Sequence, residues 1–179
     1  MAEKKDDANE PRIILVQGMV NEELTKKVIE KLLKFQNINV MEEVTMIVDS
    51  YGGYVDSMFA ITDMMDIMTY DVRTICVGKA MSAGAFIFTC GTKDKRFMTR
   101  KAQLMYHQIW SCQHGTLSDI DIEVENTKHM QKLLIDEVAA RSKMNSKQVE
   151  KLIDRDAYVY PQQAIKLGLC DGIIKRINA

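Results

Sequence analysis

Little punctuates this sequence: its 179 residues hold only two prolines, Pro11 and Pro161, and no Gly/Ser-rich stretch. Without such breaks there is no natural place for a linker, so one domain over residues 12–179 is expected, preceded by a flexible tail at 1–11. That tail, MAEKKDDANEP, is charged and lacks the apolar run of a secretory leader. No segment reaches the roughly eighteen apolar residues of a membrane helix, so neither export nor a membrane partner is expected. An excess of one charge is also missing. With 24 basic and 25 acidic residues and no basic block, a nucleic-acid partner is not implied. Cysteine is sparse: Cys76, Cys90, Cys112 and Cys170 match no zinc spacing. Reduced, mostly buried thiols in a cytoplasmic protein are expected, with no metal and no cofactor. The 13 methionines suit adaptable packing and form no cofactor box.

What is present is an alternation of strand and helix patterns. Arg12 to Gln17 reads as an apolar strand. Asn21 is a helix cap, followed by Leu24, Val28, Leu32 and Phe35 at helical spacing. Val44 to Val48 is a second strand running into Asp49-Ser50-Tyr51-Gly52-Gly53, and the next helix spans Tyr54 to Met68. Val72 to Val77 is a third strand, closed by Gly78 and followed by a short helix with small residues at its start. Gln103 to Tyr106 is a further strand that ends at His107. A long charged helix follows, with Ser118 as its cap, from Asp119 to about Arg141. Shorter helices begin near Asn145 and at Pro161, and Gly172 to Ile174 closes the chain as a strand. Apolar strands alternating with helices predict an α/β fold with a mostly parallel sheet covered on both faces. Ligands then gather at the carboxyl ends of the strands.

Three spots sit there: Ser50 to Gly53, Gly78 to Gly84, and His107. Ser82 lies among Ala80, Ala83, Gly84 and Ala85, where a substrate carbonyl can approach closely and a helix start offers free N–H groups. Serine needs a base, an orienting carboxylate and oxyanion donors to act as a nucleophile. His107 is the candidate base; His114, in a polar loop, and His129, on the charged helix, are weaker. Ser82 as a plain helix cap and His107 as a hydrogen-bonded structural histidine are the bland alternatives. Asp154 and Asp156 both precede the Tyr160-Pro161 turn, and spacing does not choose between them. Gly52-Gly53 lacks the remaining glycines and lysine of the nucleotide-binding patterns.

These residues, taken together, resemble the Clp protease proteolytic subunit family. Its Asn-Ser-Pro-Gly-Gly motif is similar to Asp49-Ser50-Tyr51-Gly52-Gly53, and its Gly-x-Ala-x-Ser-Met-Gly-Ala motif to Gly78-Lys79-Ala80-Met81-Ser82-Ala83-Gly84-Ala85. Gly91 to Phe97, Met105-Tyr106-His107-Gln108, Arg155-Asp156-Ala157-Tyr158 and Leu167 to Asp171 follow in the family's order. The resemblance implies a crotonase-like head with a protruding handle helix over about 118–142. It implies a serine endopeptidase that cleaves unfolded polypeptides through an acyl-enzyme, with Ser82 as nucleophile, His107 as base and Asp156 as orienting acid. The backbone N–H groups of Gly53 and Ala83 match the oxyanion donors, and Asp154 and Arg155 match an oligomer-contact pair. The family assembles as two stacked heptameric rings, a homo-oligomeric tetradecamer fed by an AAA+ unfoldase.

The chain departs from that pattern in places. Only eleven residues precede the first strand, so axial gating loops are expected to be rudimentary or replaced by the tail. Thr45, Ile47 and Ile67 stand where the family has aromatic residues that help dock the ATPase, which weakens the expected ATP dependence. Tyr51 and Ile109 replace motif prolines, and Trp110 and Cys112 are unusual beside the expected substrate channel. Three other readings compete: a non-catalytic ring or scaffold subunit, an acyl-CoA enzyme of the crotonase type, and a peptidase with a Ser82–Lys79 dyad.

Overall fold

The computed structural model describes residues 10–38 and 41–176. Residues 1–9 of the expected tail lie outside them; Glu10 within it pairs with Lys34 at 2.7 Å. Strand β1 (Ile13–Val20) leads into α1 (Glu22–Ile38), β2 (Val44–Gly53) and α2 (Val55–Ile67). Next come β3 (Val72–Met81), α3 (Ala83–Thr89), β4 (Arg96–Met98) and β5 (Gln103–Tyr106). The chain continues with α4 (Leu117–Arg141), α5 (Ser146–Ile153), β6 (Ala157–Val159), α6 (Pro161–Leu167) and β7 (Gly172–Ile173).

The helices start where the chemistry favours it. Asn21 Oδ1 accepts from Leu24 N at 3.0 Å, and Glu22 and Glu23 face the positive end of α1. Val28, Leu32 and Phe35 then fall on one buried stripe, as do Met58, Ile61 and Met65 of α2. Pro161 occupies the first turn of α6, and Gly168 ends that helix at φ 75°.

The strands form one sheet in the order β1-β2-β3-β4-β7, with β5 paired to β3 and β6 paired to β5. All pairings are parallel except β5–β6. The expected cover on both faces holds only in part. In β1 and β2 burial alternates: Ile14, Val16, Met46 and Val48 are buried, while Leu15 and Met19 are exposed. In β3 successive residues are buried in the middle (Thr74, Ile75 and Cys76) and again at the end (Ala80 and Met81). The strand expected to stop at Val77 continues to Met81, because β5 pairs with Lys79 to Met81 beyond the turn at Gly78.

Helix α4 is the handle. Its 25 residues extend about 37 Å at 1.5 Å per residue. No residue from Leu117 to Leu133 is buried; only Leu134 and Val138 enter the core. Its cap is Thr116 and not Ser118. The Thr116 hydroxyl accepts from Asp119 N at 3.3 Å, and the Asp119 carboxylate accepts from Thr116 N at 3.3 Å. This reciprocal pair satisfies two backbone donors, so Ser118 falls inside the first turn.

Candidate active site

Ser82 joins the end of β3 to the start of α3 with φ 50° and ψ −127°. A non-glycine residue pays strain for such a backbone, which persists only when its surroundings over-determine it. Here they do. Ser82 N donates to Met105 O at 2.8 Å, and Ser82 O accepts from Ala85 N at 2.8 Å and Phe86 N at 3.2 Å. Across the turn, Gly52 has φ 100°, and a Cβ on it would lie 2.7 Å from both Met81 O and Ser82 Cβ. Glycine is therefore what lets β2 close against the serine turn. Ser50, fully buried, supports this approach: its hydroxyl donates to Gly18 O and accepts from Gly52 N at 3.0 Å. The sequence marked Ser50 only as part of a glycine motif; a buried hydroxyl bracing that motif has no signature in spacing.

The Ser82 side chain occupies the cap position of α3 yet makes no capping hydrogen bond. The bland cap reading therefore fails on geometry. At α3's start, the first N–H groups, Ala83 included, lack an intrahelical acceptor.

His107 follows β5, half-buried. Its predecessor Tyr106 is fully buried, with its hydroxyl 2.6 Å from Thr89 Oγ1 and its ring edge-on to Phe86 at 5.6 Å. Both partners lie on α3, so the strand bearing His107 is locked to the helix that begins at Ser82. Ser82, His107, Gly53 and Ala83 line one cavity of about 220 Å³, whose other walls include Val55, Met58, Phe86 and Leu134. A larger open cleft of about 830 Å³ lies at Asn21, Tyr54 and Asp56, and it includes neither Ser82 nor His107.

Asp156 reaches this region through the sheet. The antiparallel β5–β6 register sets Tyr106 opposite Ala157, so one step further places His107 opposite Asp156. Asp156 is exposed and does not line the cavity. Among the described residues, no hydrogen bond joins the Ser82 hydroxyl, the His107 ring and the Asp156 carboxylate. Each of the three follows or precedes a paired strand end by one residue, and no side-chain bond links them among the described residues. Hydrogen bonds of this kind are often long until substrate binds. Asp154 and Arg155 are both exposed, and neither forms an ion pair among the described residues. A local turn ion pair is therefore not their role here.

Other candidates separate from the site. Lys79 Nζ lies 2.7 Å from Asp49 Oδ1 and 4.2 Å from the Tyr51 ring centre. The Asp49 hydrogen bond pushes the Lys79 pKa up, which leaves it a poor acceptor for the Ser82 proton. His114 Nε2 lies 3.3 Å from Cys112 Sγ, and His129 is exposed on α4; neither lines the cavity. Burial pushes the Cys76 and Cys90 thiols up to about 12, so they stay protonated. Among the described residues, no group of three or more His, Cys, Asp or Glu is placed to hold a metal ion, and no helix is long and apolar enough to cross a membrane.

A mostly parallel sheet with helices, whose strand ends bring Ser82 and His107 to the wall of one cavity, fits the crotonase-like class of α/β folds. The Clp protease family model matches residues 3–177, nearly the whole chain, and the chain belongs to that family. Membership places it among peptidases.

Proposed function

We infer that the chain is a serine endopeptidase that hydrolyses peptide bonds of unfolded polypeptides through an acyl-enzyme. The observation that carries this reading is the strained Ser82 turn, which opens onto the same cavity as His107. In this reading Ser82 Oγ attacks the peptide carbonyl while His107 takes its proton and then passes it to the leaving amine. Asp156 holds the imidazole tautomer. In the same reading the backbone N–H groups of Gly53 and Ala83, both residues of the cavity wall, receive the developing oxyanion.

The chain also works, in this reading, as a homo-oligomer of two stacked seven-membered rings. Leu117 and Ile122 on the projecting half of α4 are 75% and 65% exposed, and Leu15 and Met19 on β1 are 56% and 54% exposed. Such apolar surface on a single chain suits burial against further copies. Asp154 and Arg155, without an ion pair among the described residues, would find partners across a ring contact and draw Asp156 toward His107. An AAA+ unfoldase would feed the chamber through a weakened dock: Thr45 and Ile47 are half-buried and Ile67 is exposed where aromatic anchors would sit. Small peptides would then be cleaved without nucleotide.

The unlinked triad favours one second reading, a ring subunit that scaffolds without cutting. Native mass measured beside cleavage of a small fluorogenic peptide separates the two. The expected result is a particle near fourteen copies of the 20.5 kDa chain that cleaves. Activity should fall at least about a hundredfold in His107→Ala and less than about threefold in Lys79→Ala. An assembled but inert particle would establish the scaffold reading, and the converse mutant pattern the lysine dyad.

A further inference from the structure

The segment after His107 is irregular, yet the chain is fastened on both sides of that residue. Tyr106 is anchored to α3 through Thr89. Gln108 Nε2 donates to Asp154 O at 3.1 Å, tying the segment to the turn before β6. Ile109 N donates to Gln131 Oε1 at 2.8 Å, tying it to the handle. The first two ties belong to the head. The third crosses to α4, and among the described residues no other side-chain hydrogen bond joins the His107 segment to that helix.

Gln131 sits at the junction where α4 stops projecting and begins to pack. Leu134, three residues further along the same face, is buried and lines the cavity together with Ile109. Ile109 itself packs against the core. A shift of α4 would therefore be felt first at Ile109, two residues from the candidate base. Among the described residues no side-chain hydrogen bond holds the His107 ring, so its place depends on the backbone that carries it and on the packing of the cavity wall.

We propose that Gln131 is a positioning residue for the peptidase reaction: its amide oxygen fixes the Ile109 N–H and thereby sets His107 against Ser82. This rests on the serine-peptidase reading above. It makes the handle part of the active-site support and not only a surface for assembly. A misplaced base lowers kcat far more than it weakens binding, because proton transfer depends on sub-ångström geometry.

The test uses the assembled full chain. Gln131→Met keeps the side chain's length and removes the acceptor oxygen; Gln131→Glu keeps an acceptor. Gln131→Met should lower kcat on a fluorogenic peptide by roughly tenfold with KM changed less than about twofold. Amide exchange at Ile109 should speed by about the same factor, with native mass unchanged. Gln131→Glu should restore both to within about threefold of wild type. A split of kcat from KM with rescue by Glu is not what a general loss of stability produces. Active wild type with unchanged kcat in Gln131→Met overturns the proposal alone, as does faster Ile109 exchange without loss of kcat. An inert wild type overturns the peptidase reading, and this proposal with it.

Discussion

Ser82→Ala is expected to abolish cleavage of a small fluorogenic peptide, by roughly 10⁴-fold or more in kcat, without changing fold or assembly. The size follows from the role: no other hydroxyl is offered at the end of β3, and the remaining cavity supplies only binding and oxyanion donors. The selectivity follows from the contacts. The Ser82 hydroxyl caps nothing, while the strained backbone is held by bonds from Ser82 N and Ser82 O that alanine retains. Thermal melting and native mass should match wild type. Retention of more than about a tenth of the rate would place the nucleophile elsewhere.

The largest effect on stability is expected at Asp171. Arg96 is only 4% exposed, and its guanidinium donates to both Asp171 oxygens, from Nε at 2.9 Å and Nη2 at 2.7 Å. Arg96 Nη1 also donates to Arg141 O at 2.7 Å, joining β4, the handle's end and the segment before β7. Asp171→Ala leaves that buried cation unpaired, which should cost about 3 kcal/mol. For a chain of this size that lowers the melting temperature by roughly 10 °C. Burial pushes the Asp171 pKa up, but the Arg96 hydrogen bonds and charge outweigh it and hold the pKa below the ordinary carboxylate value. A depressed acid stabilises the fold above its unfolded pKa, near 4, and that contribution is lost as pH falls through the folded value. The melting temperatures of wild type and Asp171→Ala should therefore converge on acidification below about pH 4. A variant that melts within a degree or two of wild type at neutral pH would show that the pair contributes little.

Much of this architecture was legible because its signals are local. Asn21, the stripe Val28-Leu32-Phe35, and Pro161 with Gly168 each declare a helix end or face within a few residues. The short strands β4 and β6 were not legible, since three residues carry no periodicity; they exist because β3 and β5 offer free edges. The handle cap was readable and was misplaced: Thr116-Leu117-Ser118-Asp119 fits a capping box with aspartate in the third position, and Ser118 drew attention from it. At the site, Ser82 and His107 stood out as polar residues at strand ends. Asp156 is told from Asp154 only by resemblance, because what brings its strand beside the one bearing His107 is the antiparallel β5–β6 register, a pairing over some fifty residues. Gln131 and Asp171 were invisible for the same reason: each acts on a partner distant in sequence.

Covalent trapping would show whether Ser82 is an activated nucleophile. The assembled wild-type protein would be treated with a fluorophosphonate, digested, and the adduct located by mass spectrometry. One adduct per chain is predicted, on the peptide containing Ser82, with its rate reduced at least about a hundredfold in His107→Ala. An unlabelled assembled protein beside a reactive control peptidase, or an adduct on any other residue, would mean that Ser82 is not the nucleophile.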